Sequence, residues 1–280
     1  MAHPAAEIFL GAARLNRQSS RREGNVLRFG EGEHLIVAGD IHGHRQNLNR
    51  IIRYAQLTGH PKRMLVLQEI IHGGPTDNEG GDRSFEVLLR AARLKVQHSD
   101  QVHFLLGNHD QAQIIDGEIT KDGHRACLSF DQGLAHAYGD DADEIAAAID
   151  QMLLSMPLAG RCPNGVMLSH SLPSAAGLKR FDPAVFNSEI TAETLCRGGG
   201  AYELLWGRHH DAATLDRLAE MLAAGIFING HQPQDNGFAV NHRQLIIASE
   251  HPAGVIAEFR ADEPIEPEML GELVRKIVRL

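Results

Sequence analysis

The chain has 280 residues, 43% of them hydrophobic and 22% charged, with a formal net charge of −9. That length suits one large α/β domain and is short for two. An acidic chain with no dense Lys/Arg block lacks the clustered cations that a nucleic-acid interface needs, although bound divalent cations can still make one cleft attractive to an anion.

Residues 1–33 read as a polar N-terminal extension packed on the domain, with a short helix near 5–16 and irregular chain after it. A strand over 35–39 is followed by a helix near 45–57, where Leu48, Ile51, Ile52 and Ala55 recur at helical spacing. A second strand, 64–67, runs into Gln68-Glu69-Ile70-Ile71-His72-Gly73-Gly74 and then a turn-rich loop over 73–82. Ser84 is placed to cap a helix whose apolar stripe is Phe85, Leu88, Leu89 and Ala92. A third strand, 102–106, ends just before Asn108 and His109. The stretch 111–160 reads as mainly helical. Short runs at 165–169, 225–229, 237–240, 244–249 and 254–259 read as strands, and 268–278 as a closing helix with Pro267 at its first turn. The alternation of strand and helix, followed by a β-rich second half, predicts a four-layer α/β/β/α sandwich of two mixed sheets over residues 34–280.

Cys127, Cys162 and Cys196 are scattered and unpaired in spacing, as expected of reduced thiols in a cytoplasmic protein. The first ten residues have no cationic segment leading into a long apolar one, so no signal peptide is expected. No apolar run approaches the ~18–20 residues of a membrane span, so no membrane contact is expected.

Five segments place metal-type ligands just after predicted strands: Asp40 and His42, Glu69, Asn108 and His109, His170, and His231. Mixed imidazole and carboxylate sets suit Mn, Fe or Zn. The set is large enough for two ions that share a carboxylate, an arrangement that stabilises both attacking and leaving oxygens.

The order Gly39-Asp40-Ile41-His42-Gly43, Gly107-Asn108-His109-Asp110, a lone His170 and Gly230-His231 resembles the calcineurin-like metallophosphoesterases. Met156-Pro157-Leu158-Ala159, Leu204-Leu205-Trp206 and Gly230-His231-Gln232 resemble the branch that holds the Ser/Thr protein phosphatases and the diadenosine tetraphosphate hydrolases. The resemblance spans roughly residues 34–260. It implies that Asp40, His42 and Glu69 hold one metal, that Glu69, Asn108, His170 and His231 hold the other, and that hydroxide between the ions attacks phosphorus in line. His109 would be the general acid for the leaving alkoxide, a role that suits imidazole. Manganese is the first expectation among the three metals.

One motif departs from that family. Its Gly-Asp-x-x-Asp-Arg-Gly stands here as Gln68-Glu69-Ile70-Ile71-His72-Gly73-Gly74. Glu69 keeps the bridging carboxylate in kind. His72 replaces the Asp that orients the general acid, and three roles stay open for it: a supporting partner behind the ligands, an extra ligand or a plain loop residue. Gly73 replaces the phosphate-gripping Arg. Gly81-Asp82-Arg83-Ser84 reads like a displaced Asp-Arg pair, so Arg83 is expected to contact phosphate and Asp82 or Asp110 to orient His109, with Arg208 the competing arginine. The substrate-contact candidates are thus Asn108, Arg83, Arg208 and His72.

The expected function is hydrolysis of a phosphorylated protein, nucleotide or small molecule, as a phosphomonoesterase related to the Ser/Thr phosphatases. The alternatives are a phosphodiesterase or dinucleoside polyphosphate hydrolase, and a catalytically weakened relative that binds metal or phosphate. The sequence leaves oligomeric state open.

Overall fold

Two sheets carry the fold in the computed structural model, which describes residues 2–121 and 123–280. Among these residues the smaller sheet has five strands, in the order Val274–Lys276, Val255–Arg260, His34–Asp40, Arg63–Gln68 and Val102–Leu105. The last three run parallel. The larger has seven, in the order Arg22–Glu23, Val26–Arg28, Ala159–Arg161, Val166–Ser169, Ile226–Asn229, Gln244–Ile247 and Phe238–Asn241. Its strands Val166–Ser169, Ile226–Asn229 and Gln244–Ile247 are also parallel.

Alternation along the strands divides the apolar core in two. Leu35, Val37, Met64 and Val66 join Leu168, Ile228, Leu245 and Ile247 in one cluster between the sheets. Ile36, Ala38, Leu65 and Leu67 belong to a second cluster with the helix residues Leu48, Ile51, Leu88 and Ala91, and Met167 and Phe227 belong to it with Leu215 and Leu218. Helices therefore lie outside both sheets, which is the four-layer α/β/β/α architecture expected.

The sheets close on each other at one end. Asp40 bridges to Ala248 across the gap, and the Gly39 amide donates to Ser249 Oγ at 3.0 Å. A Cβ at Gly39 would lie 2.1 Å from the Ile247 carbonyl oxygen, so only glycine fits this seam. The parallel strands of both sheets deliver their carboxyl ends here.

The chain before residue 34 is more ordered than its composition suggests. A helix over Pro4–Arg17 starts with Pro at its first turn and a His3 side-chain cap. It buries Ala6, Phe9 and Ala13 and packs on helices Ala142–Leu154 and Ser84–Gln97. Val26–Arg28, expected to be irregular, instead pairs parallel with Ala159–Arg161. Phe9 is fully buried, so Phe9→Ala is expected to lower unfolding stability by about 3–5 kcal/mol. Urea denaturation measures this, with metal content of the folded fraction unchanged.

Two further expectations are corrected. The closing helix is a 3-10 turn over Pro267–Leu273, a strand Val274–Lys276 and a last turn Ile277–Arg279. Leu270, Leu273 and Ile277 are buried at spacings that mimic a helical stripe, but Val274–Lys276 pairs with the open edge of Val255–Arg260. Ser84 begins its helix and does not cap it: its amide donates to Asp82 Oδ1 at 2.6 Å, and its hydroxyl accepts from the His72 amide at 2.9 Å. The stretch 111–160 holds helices Asn108–Ile114, Ala126–Tyr138 and Ala142–Leu154, with a small hairpin, Thr120–Lys121 and His124–Arg125, between the first two. No described helix is long and apolar enough to cross a membrane.

Candidate metal centre

Each ligand candidate sits at or just past a strand end. Asp40 closes its strand, Glu69 follows Gln68, Asn108 opens a helix two residues after Leu106, and His170 and His231 follow Ser169 and Gly230. The turns at these points are tight. His42, Glu69, His72 and His231 hold left-handed backbone, with φ of 40°, 44°, 64° and 67°. Non-glycine residues there cost of order 1–3 kcal/mol each, a cost that persists where side-chain placement requires it.

The first group of donors surrounds His170. Its Nε2 lies 2.7 Å from Glu69 Oε2 and 2.8 Å from Asn108 Oδ1. His231 Nδ1 lies 2.7 Å from the same Asn108 oxygen. Gln68 decides the tautomer of His170. Its amide nitrogen donates to the Ala38 carbonyl at 3.0 Å, so its oxygen faces His170 Nδ1 at 3.0 Å and must accept from it. The neutral ring then turns a bare Nε2 lone pair toward two oxygens. Such a crossing of lone pairs requires a proton or a cation. Burial answers with a proton in the protein alone, pushing Glu69 up to about 8.

The second group is Asp40, His42 and Glu250. His42 Nδ1 donates to the Ile71 carbonyl at 3.0 Å, which leaves Nε2 facing Glu250 Oε2 at 3.6 Å. Asp40 accepts the His231 amide on both oxygens at 3.0 Å. Burial, with Glu69 and Glu250 nearby, raises Asp40 to about 7. The donor atoms of Glu69, His170 and His231 lie within 4.8 Å of one another, as do those of Asp40, His42 and Glu250. Buried neutral imidazoles offer a cation their bare lone pairs, and proton-retaining carboxylates give up their protons to it, so the donor set fits metal.

His109 stands beside both groups. Its amide donates to Glu69 Oε1 at 2.5 Å, and its ring meets His42 edge-on with centroids 4.7 Å apart. Its orienting partner is His72, at 3.0 Å between the two Nδ1 atoms. Gln113 donates its amide nitrogen to Asp131 at 2.9 Å and turns its oxygen to His72 Nε2 at 2.9 Å. His72 therefore donates from Nε2 and accepts from His109 Nδ1–H. Burial lowers the His72 pKa to about 4, so this acceptor is neutral around pH 7.

The displaced-pair expectation meets a different arrangement. Arg83 is half exposed and pairs with Glu86, which also takes Arg45, at the outer start of its helix. Asp82 accepts from the Gly73 and Ser84 amides, and Asp110 from the Gly107 amide at 2.9 Å. None of these three is joined to the His109 ring. Arg208 is exposed, and its charge acts on Glu69, His170 and His231.

Three neighbours of these donors lie outside the sequence expectations. Gln68 stands in the sequence only as part of an altered motif. Glu250 follows a sixth strand end, and that position was its available signal. Lys121, whose ammonium lies 3.8 Å from Glu250 Oε1, comes from a hairpin with no pattern to mark it. Gln68→Leu removes the bond that sets His170's tautomer and is expected to weaken metal binding about 10–100-fold; competition with a fluorescent chelator measures this.

The family model of the calcineurin-like phosphoesterases matches residues 34–244. The chain belongs to that family, and it is a hydrolase acting on phosphoester bonds. Solved structures of similar fold include a protein serine/threonine phosphatase from Saccharomyces cerevisiae, 17% identical, with a TM-score of 0.67 over 94% of this chain and 86% of that one. Another is a cold-active protein-tyrosine phosphatase of a psychrophilic Shewanella species, 16% identical, with a TM-score of 0.60 over 89% of this chain and 80% of that one. No curated protein matches the chain by sequence.

Proposed function

We propose that this chain is a metal-dependent phosphomonoesterase of the Ser/Thr phosphatase-like kind, acting on a phosphorylated substrate in the cytoplasm. The division at residue 33 into an extension and a phosphoesterase domain belongs to the same reading. The observation that carries it is the convergence of two buried donor groups with His109 in contact with both. Glu69, Asn108, His170 and His231 would hold one ion. Asp40, His42 and Glu69 would hold the second, with Glu250 at its edge, and manganese is the metal proposed. Two cations in place lower the pKa of water and neutralise charge on the phosphoryl oxygens.

The remaining chemistry falls to the chain. The ring of His109 is fixed through Nδ1 by His72, which leaves Nε2 to carry the proton that the departing alkoxide takes. Asn108 and Arg208 line the approach for phosphate oxygens. The left-handed turns at His42, Glu69 and His231 hold the donors in place before any substrate arrives, so little reorganisation is required during reaction.

The test is turnover of p-nitrophenyl phosphate against bis(p-nitrophenyl) phosphate with added Mn, alongside metal analysis. The reading predicts close to two ions per chain and faster turnover of the monoester. A metal content near zero after supplementation overturns the dinuclear site. One observation favours a second reading, a weakened relative: His109 leans on a neutral imidazole and not on a carboxylate. Two bound metals with neither ester turned over would establish that reading instead.

A further inference from the structure

Gly73 leaves a gap that another element fills. It has a φ of 92° and no side chain, and the stem of Lys121 runs across it. A Cβ at Gly73 would fall 2.7 Å from Lys121 Cε, 3.1 Å from its Cδ and 3.7 Å from the His42 Cβ. The lysine side chain thus passes over the position from which a side chain at Gly73 would start, beside His42.

We propose that Lys121, reaching in from the hairpin of Thr120–Lys121 and His124–Arg125, binds a non-bridging oxygen of the substrate phosphoryl group and takes over the contact that an arginine at position 73 would make. The inference rests on the phosphoesterase reading above and adds to it a specific binding residue from outside its motifs.

Three observations support it. The side chain is largely covered, at 21% exposure, yet its ion pair with Glu250 is long at 3.8 Å. A loose pair of that kind adds little stability, so fold maintenance does not account for the lysine's position. Glu250 Oε2 in turn lies 3.6 Å from His42 Nε2, so the ammonium pairs with a member of the second donor group itself. Finally, the Lys121 stem lies over Gly73, next in the chain to His72, whose Nδ1 is 3.0 Å from His109 Nδ1, so the lysine enters beside the proposed general acid. An ammonium is a point donor lacking the two-pronged geometry of guanidinium, so it fits one phosphate oxygen and tolerates varied substrate poses.

The experiment uses the full-length, Mn-loaded protein and inorganic phosphate as probe, with affinity read by calorimetry. Lys121→Met keeps the apolar stem over Gly73 and removes only the charge. It is expected to weaken phosphate binding about tenfold or more, the usual size of a lost charged hydrogen bond, with bound metal unchanged. KM for p-nitrophenyl phosphate should rise in step, and Lys121→Arg should recover most of the affinity. Unchanged phosphate affinity in Lys121→Met overturns the proposal, as does loss of metal from that variant, which would make Lys121 a brace of the donor groups. Should the parent protein bind phosphate in a Lys121-dependent way and hydrolyse neither ester, the function reading falls while the Lys121 site stands.

Discussion

His109→Asn is expected to lower kcat by about two to four orders of magnitude while close to two metal ions per chain remain bound. The side chain lies beside both donor groups without being needed by either. Its amide, not its ring, reaches Glu69, and asparagine retains that amide. The imidazole edge against His42 is a packing contact, worth far less than the proton it would carry. Single-turnover kinetics and metal analysis on one preparation check the two halves together. Metal loss on substitution would make His109 a ligand, and unchanged kcat would remove it from the chemistry. His72→Ala tests the contact behind it: kcat should fall while KM holds, because the ring of His109 loses its only fixed acceptor among the described residues.

Glu69→Gln should have the second large effect, and with opposite signs on activity and stability. Glutamine keeps an oxygen for the His109 amide and loses the charge that draws cations. Metal content should fall from two to one or fewer, and kcat by roughly 10³-fold, since metal charge stabilisation is worth several kcal/mol. The metal-free fold should melt at the same temperature as the parent or higher. The reason lies in linkage. Burial raises Glu69 to about 8, above its ordinary carboxylate range. The folded protein therefore holds this proton where the unfolded chain has released it, so metal-free stability falls as pH rises from about 4 to about 8. Glutamine has no proton to lose and removes that slope. By the same linkage, metal affinity of the parent should climb about tenfold per pH unit for each proton displaced up to about pH 8, then level off. Calorimetric titrations across that range check the climb, and a flat profile in the parent would contradict the buried, protonated Glu69.

Much of this site was legible because the sequence marks strand ends with unusual clarity. Asp40, Asn108, His170 and His231 each follow an apolar run of three or more residues, and parallel strands leave their carboxyl ends at one edge. What stayed hidden has physical causes. Lys121 sits in a strand of two residues, too short for periodicity to register. Arg83 resembles a displaced phosphate grip by local spelling, but it pairs with Glu86 one turn later, and Glu86 also takes Arg45 from the neighbouring helix. The orientation of His72 has no mark in the local sequence because it is set by Gln113 and Asp131, far along the chain, through an amide. The C-terminal segment misled because burial at Leu270, Leu273 and Ile277 looks the same on a helix or on a turn followed by an edge strand.

The seam at Gly39 and Ala248 also bears on when in the life of the chain the centre can exist. Its donors are spread from Asp40 to Glu250, and the strand that holds the seam shut, Gln244–Ile247, is made long after Asp40. A growing polypeptide emerges with scattered histidines and carboxylates and no cage. Tight metal capture at these donors would therefore await synthesis of that strand, so a metal would be chosen by the folded cavity and not by whichever ion first meets the nascent chain.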